Sequence, residues 1–284
     1  MKQAVLLLAH GAPERVEDVA SYLSFVRGGR PMAPRVVAEV ERRYAEIGGG
    51  SPLLARTRRQ AEALQAKLGL PVYVGMRNWQ PFIKDTADRM VVEGVERAVS
   101  ICLAPQYSDL SVGLYIRRAE EAVAGRFALA WTRSFHDHPL LIESFAERLA
   151  PLVNRRRVIF SAHSLPERIL AAGDPYDREA RATAAAVAAR LNLQDWDFAY
   201  QSQGMTEEKW LGPTVEERLE MCSGEVVVHP IGFVSDHVEI LYDVDVLFRN
   251  FAAERGIRLL RPESLNDSPT FIAALADIAA RCLA

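Results

Sequence analysis

Short continuous apolar runs alternate with longer amphipathic stretches along this chain. The runs fall at 4–9, 72–74, 98–104, 127–131, 158–162, 198–200 and 226–230. Their length and their lack of polar interruptions predict strands buried on both faces of a parallel sheet. Between them, apolar residues recur at helical spacing over 56–68, 86–95, 115–124, 142–153 and 177–191, and again over 268–283. Regular strand–helix alternation predicts an α/β fold with right-handed crossovers, and ligands at the carboxyl ends of the strands. Four predicted strands precede residue 132 and at least three follow residue 155. The expected architecture is two α/β halves, and the last helix has the spacing to pack back on the first.

Composition changes little in that picture but removes alternatives. The 284 residues are 49% hydrophobic and 25% charged, ordinary for a globular chain of about two domains. Lys and Arg number 34 against 37 Asp and Glu, with no basic run, which disfavours a sequence-independent nucleic-acid binder. No window of about 18 apolar residues predicts a membrane span, and the N-terminus lacks the pattern of a secretory signal. A cytoplasmic protein is expected. Cys102, Cys222 and Cys282 are scattered, so neither a zinc site nor an iron–sulfur cluster is expected.

Three segments carry candidate chemistry. In Val158-Ile-Phe-Ser-Ala-His163-Ser164-Leu-Pro-Glu167 a strand ends beside what reads as a Ser164–Glu167 capping box. The box would occupy Ser164 and Glu167 and leave His163 at a strand end, either bonded to the turn or functional. In Gly232-Phe-Val-Ser-Asp236-His-Val-Glu239-Ile-Leu-Tyr-Asp243, helical spacing stacks Asp236, Glu239 and Asp243 on one face. Such a row is either a solvated acidic face or a path for cations or protons. In Arg42-Arg43-Tyr44-Ala-Glu-Ile-Gly-Gly-Gly-Ser51-Pro52-Leu53, Ser51 reads as an N-cap and Pro52 as the first helical residue. Nearby arginines there would suit an anion, or the segment is a plain corner between helices. The glycines follow a helix rather than a strand and no Gly-Lys-Ser/Thr follows them, so neither a dinucleotide fingerprint nor a P-loop is present. His136 and His138 lack a third metal ligand. His229 reads as a buried, hydrogen-bonded histidine.

Taken together, the segments resemble the ferrochelatase family along the whole chain. The resemblance rests on Leu6-Leu-Leu-Ala-His-Gly-Ala-Pro13, Ile47-Gly-Gly-Gly-Ser-Pro-Leu53, Tyr73-Val-Gly-Met-Arg77 and Leu103-Ala-Pro-Gln-Tyr-Ser108. It continues through Ser161-Ala-His-Ser-Leu-Pro166, Gly173-Asp-Pro-Tyr176, Gln201-Ser-Gln-Gly204, Trp210-Leu-Gly-Pro213 and Gly232-Phe-Val-Ser-Asp-His-Val-Glu239. It implies two Rossmann-like domains, 1–132 plus 262–284 and 133–261, with a porphyrin cleft between them. It implies Fe²⁺ insertion into a porphyrin, with His163 and Glu239 as catalytic and metal-contacting residues and Asp243 as part of an acidic track.

The short basic segment Ser24-Phe-Val-Arg-Gly-Gly-Arg30 resembles the coproporphyrin III type of bacterial enzyme, with Fe-coproporphyrin III (coproheme) as the product. By the same match His10, Arg27, Arg43, Tyr44, Ser51 and Tyr115 would bind the porphyrin. The resemblance further implies Fe²⁺ as a substrate, no organic cofactor, a monomer, and transient contact with neighbouring haem-pathway enzymes. The alternatives are a protoporphyrin IX ferrochelatase giving protohaem and a non-catalytic haem or porphyrin carrier. Two departures stand out: His10 occupies a place where that type usually has Tyr, and Asn78 one where many relatives have His.

Overall fold

Buried apolar strands alternate with half-buried helices as the periodicity predicts. The computed structural model describes residues 1–204 and 207–284. The first half runs β1 (Gln3–Ala9), α1 (Val19–Val26), α2 (Pro34–Glu46), α3 (Leu53–Leu68), β2 (Val72–Met76), α4 (Ile83–Val92), β3 (Arg97–Cys102), α5 (Val112–Val123) and β4 (Ala128–Thr132). After α6 (Pro139–Leu149) come β5 (Arg157–His163), α7 (Arg168–Ala171), α8 (Tyr176–Arg190), β6 (Trp196–Gln201) and α9 (Val215–Leu219). Then follow β7 (Glu225–Pro230), α10 (Val238–Leu241), α11 (Arg249–Ala253), β8 (Arg258–Leu260) and α12 (Pro269–Leu283).

The two sheets share one topology. Their orders are β2-β1-β3-β4 and β6-β5-β7-β8, all parallel. β1 lies between two neighbours, and from Ala4 to Ala9 it is buried throughout, which is why its sequence does not alternate. α3 turns Leu53, Leu54, Thr57, Gln60, Ala61 and Leu64 inward at helical spacing and ends at Gly69, whose φ of 68° only glycine adopts without cost. β8 escapes the sequence pattern because it is a three-residue edge strand beginning at an exposed Arg258.

One apolar cluster runs through both halves, joining Leu7 and Ile101 to Phe145, Phe160 and Val227 through Phe271 and Leu275 of α12. α12 touches both halves, packing on α3, β3 and β4 on one side and on α6 on the other. Among the described residues no helix is long and apolar enough to cross a membrane.

His229 corrects an expectation. It is buried in β7, but among the described residues neither ring nitrogen has a hydrogen-bond partner; the backbone of Phe145 approaches without completing one. The ring instead meets Phe145 and Phe160, with centroids 5.4 and 5.8 Å away. Burial pushes the imidazole from 6.5 down to about 3. The unfolded chain therefore takes up a proton near pH 6.5 that the folded chain refuses until about pH 3, and stability falls as pH drops through that interval. From this group alone the loss between pH 7 and pH 5 is expected to be about 2 kcal/mol. His229→Phe should flatten the pH dependence of urea unfolding by that amount; identical slopes for both proteins would exclude His229 as the cause.

Candidate active site

The carboxyl ends of the central strands of both sheets face one cleft of about 320 Å³. In each sheet this is where the strand order reverses, between β1 and β3 and between β5 and β7, the usual place for ligands in such folds. The walls are largely apolar, with Leu8, Leu103, Leu110, Leu165, Phe233 and Val238. The polar groups exposed among them include His10, Arg77, Tyr115, His163, His237 and Glu239.

His163 is the last residue of β5. The segment behind it packs so closely that a Cβ on Gly232 would lie 2.9 Å from Cα of Ala162, which explains the glycine. Tyr176 donates its hydroxyl to the His163 carbonyl at 2.9 Å. The expected capping box does not form: Ser164 donates its hydroxyl to the Leu211 carbonyl, Glu167 pairs with Lys209, and α7 starts without a side-chain cap. Ser164 is buried under the 209–211 segment, so its hydroxyl meets a tertiary partner before it meets the helix.

Two imidazoles converge on Glu239. His163 Nε2 lies 3.6 Å from Oε1 and His237 Nε2 lies 3.5 Å from Oε2. The Nδ1 atoms are held by backbone carbonyls, of Ser164 for His163 and, at 3.0 Å, of Ser235 for His237. A carbonyl only accepts, so each Nδ1 carries its proton and each Nε2 turns a lone pair, or a second proton, toward the carboxylate. The arrangement attracts positive charge. Burial disfavours the His163 cation, but the Glu239 carboxylate and the Ser164 carbonyl outweigh it and hold the imidazole above its ordinary 6.5. Burial also disfavours the Glu239 anion, yet His163 and His237 hold it well below the usual carboxylate range. Sequence reasoning passed over His237 because it stands only two residues from Glu239. Its extended backbone, just ahead of α10, is what turns it toward the same carboxylate.

The acidic row is shorter than its spacing suggests. Asp236 precedes α10 and is taken up by Ser264, Asn266 and Arg261, at 2.8, 2.9 and 3.4 Å. Asp243, where α10 passes into a π-helical stretch (Asp243–Phe248), does lie near Glu239 and bonds Ser202. Burial, then the Glu239 charge, pushes its carboxyl up to about 6.

The remaining candidates divide by depth. His10 and Tyr115 line the cleft; Arg27, Arg43, Tyr44 and Ser51 lie outside its enclosed part. The Arg77 Nη2 lies 3.5 Å from His10 Nδ1, and the Tyr22 hydroxyl and the Asn78 amide nitrogen lie 3.0 and 3.1 Å from Nε2. Burial, then Arg77, lowers His10 to about 3, so it is neutral.

Arg43 is engaged by Glu39 at 3.0 Å and lies with Arg42 over the Tyr242 ring, while Arg27 is exposed at the end of α1. Tyr44 is buried, and its hydroxyl has no partner among the described residues. Ser51 accepts the Leu53 N–H at 3.3 Å and gives its own N–H to the Pro13 carbonyl, and the helix begins at Leu53, one residue later than expected. His136 is taken by Ser134 and Glu179, and His138 caps α6 and pairs with Asp277. Among the described residues no three His, Cys, Asp or Glu side chains are arranged to hold a metal ion.

The family model described as Ferrochelatase matches residues 2–283. The chain is 47% identical to the ferrochelatase of Acidobacterium capsulatum, with 98% of this chain and 94% of that one covered. It is 38% identical to the coproporphyrin III ferrochelatase of Anoxybacillus flavithermus, covering 96% and 94%. Among solved structures it is similar to the sirohydrochlorin chelatase SirB of Bacillus subtilis subspecies spizizenii in complex with cobalt, with a TM-score of 0.62, 13% identity, and 99% and 95% covered. At that identity the likeness concerns the fold alone.

Proposed function

Since this chain belongs to the ferrochelatase family of metal-inserting lyases in haem biosynthesis, we propose that its substrate is coproporphyrin III, converted with Fe²⁺ to Fe-coproporphyrin III. The observation that carries the choice of porphyrin lies in the segment around Tyr22, which lines the cleft. Residues 19–38 contain no Asp or Glu but include Arg27, Arg30 and Arg35, in a chain whose net charge is −3. Four propionates need more cationic partners than two, and guanidinium forks suit carboxylates. Relatives named coproporphyrin III ferrochelatases support the same choice.

In this proposal insertion exchanges two pyrrole protons for one Fe²⁺, and the cleft must handle both. His163 Nε2 faces the macrocycle as a proton acceptor or a transient Fe²⁺ ligand, and an imidazole with a carboxylate suits that ion. Glu239 balances whichever cation is present. Asp243, titrating at about 6 and bonded to Ser202, takes the proton onward. Binding energy from the propionates would hold the ring in a distorted shape that turns pyrrole lone pairs toward the metal.

Fe²⁺ is thus a substrate, and no organic cofactor or iron–sulfur cluster takes part. The three thiols lie apart, Cys102 buried in β3, Cys222 beside Arg218 and Cys282 beside Thr132. We place the protein in the cytoplasm.

Anaerobic Fe²⁺ insertion with coproporphyrin III and protoporphyrin IX in parallel tests the proposal. Many turnovers on coproporphyrin alone are expected. Preference for protoporphyrin would overturn the substrate choice, and tight porphyrin binding without insertion would point to a carrier.

A further inference from the structure

Arg77, the residue after β2, reaches into the cleft, and among the described residues no acid pairs with its guanidinium. Its centre lies 4.6 Å above the Tyr115 ring and Nη2 lies 3.5 Å from His10 Nδ1, while Nη1 is buried and has no hydrogen-bond partner among the described residues. Other sheltered arginines are matched: Arg261 by Asp236 and Asp245, Arg156 by Glu225, Arg56 by Asp236. A cation taken out of water without an anion is costly, and the cost is relieved when a ligand brings one. His10, held neutral, cannot supply that charge.

The shape of the substrate indicates what would. A macrocycle with one propionate on every pyrrole cannot enter a cleft edge-first without carrying at least one carboxylate inward. A ring with only two propionates, on neighbouring pyrroles, can keep both at the mouth. On the footing of the porphyrin-insertion proposal, we infer that the Arg77 guanidinium receives an inward-pointing propionate and so selects tetracarboxylate over dicarboxylate porphyrins. Tyr115 is the platform that holds the guanidinium plane at the cleft wall. In sequence, the signal for Arg77 is its place at a strand's carboxyl end.

The test is equilibrium binding to the full chain, read by quenching of porphyrin fluorescence. Metal-free coproporphyrin III, its tetramethyl ester and protoporphyrin IX are compared on wild type, Arg77→Gln and Arg77→Lys. Arg77→Gln is expected to weaken coproporphyrin III by about tenfold to a hundredfold, the worth of a charge-assisted bond, and to leave the ester and protoporphyrin within about twofold. Arg77→Lys keeps the charge but not the fork, and should lose severalfold on the tetra-acid only, which decides the matter even if the Gln variant does not fold. Equal loss on acid and ester, or no loss, overturns the role of Arg77. Failure of wild type to bind any of the three porphyrins would instead sink the porphyrin reading of the cleft.

Discussion

Replacing His163 by Ala is expected to slow metal insertion by about 10²–10⁴-fold, the usual worth of a positioned acid–base group, while porphyrin affinity stays within about tenfold. The two effects separate because of where the residue stands. Its side chain projects from the end of β5 into the cleft and supports little of the core. What holds the strand end in place is backbone: the Tyr176 hydroxyl on the His163 carbonyl and the packing of Gly232 on Ala162, and both survive the substitution. The porphyrin's grip, in turn, is assigned to the arginines and to the apolar walls. Single-turnover loss of the free-base bands under anaerobic conditions measures insertion, and fluorescence titration measures binding. Wild-type insertion rates in the variant would remove His163 from the chemistry; a collapse of binding alone would make it a wall residue.

Glu239→Gln is expected to slow insertion to a similar degree and also to change the charge of its neighbour. What keeps the His163 imidazole above 6.5 against burial is chiefly the Glu239 carboxylate. Without it, burial dominates and His163 should titrate below 6.5, so it would be neutral at pH 7. Stability responds in a defined window. The Glu239 anion favours folding above its unfolded value of 4.5 and ceases to do so as pH falls through its lower folded value. The His163 cation favours folding below 6.5, and that contribution fades as pH rises through its higher folded value. The pair is therefore most stabilising between about pH 4.5 and 6.5, and Glu239→Gln should remove that maximum from the stability profile. A histidine NMR titration of both proteins reads the shift directly. An unmoved His163 resonance would mean that Glu239 does not hold the proton on it.

Much of the fold was legible because each half is built from elements whose burial leaves a periodic trace. All seven predicted strands are found, and the predicted helices are recovered with their ends shifted by a few residues. α4, for example, begins at Ile83, where the pattern suggested 86. β8 left no trace because three residues at a sheet edge impose no run. His163 and Glu239 were legible as a residue at a strand end and a carboxylate at helical spacing. The Ser164–Glu167 box was misread for the converse reason: a local pattern promises a bond that a buried tertiary partner can take instead. Asp236 likewise left the acidic row when Arg261, Ser264 and Asn266, some 25 to 30 residues away in sequence, claimed its carboxylate.

By itself, then, the sequence determined the alternating parallel architecture and which residue types stand at the strand ends, because period and local spacing are properties of neighbouring positions; the family was legible only through the resemblance of its motifs. Only the tertiary structure decided that His163 and His237 share one carboxylate, that His10 is neutral between Arg77 and Tyr22, and that among the described residues no acid meets Arg77 at the cleft. Each of those depends on groups from separate elements meeting within a few ångströms under burial. Nothing in the local pattern of either partner encodes that distance.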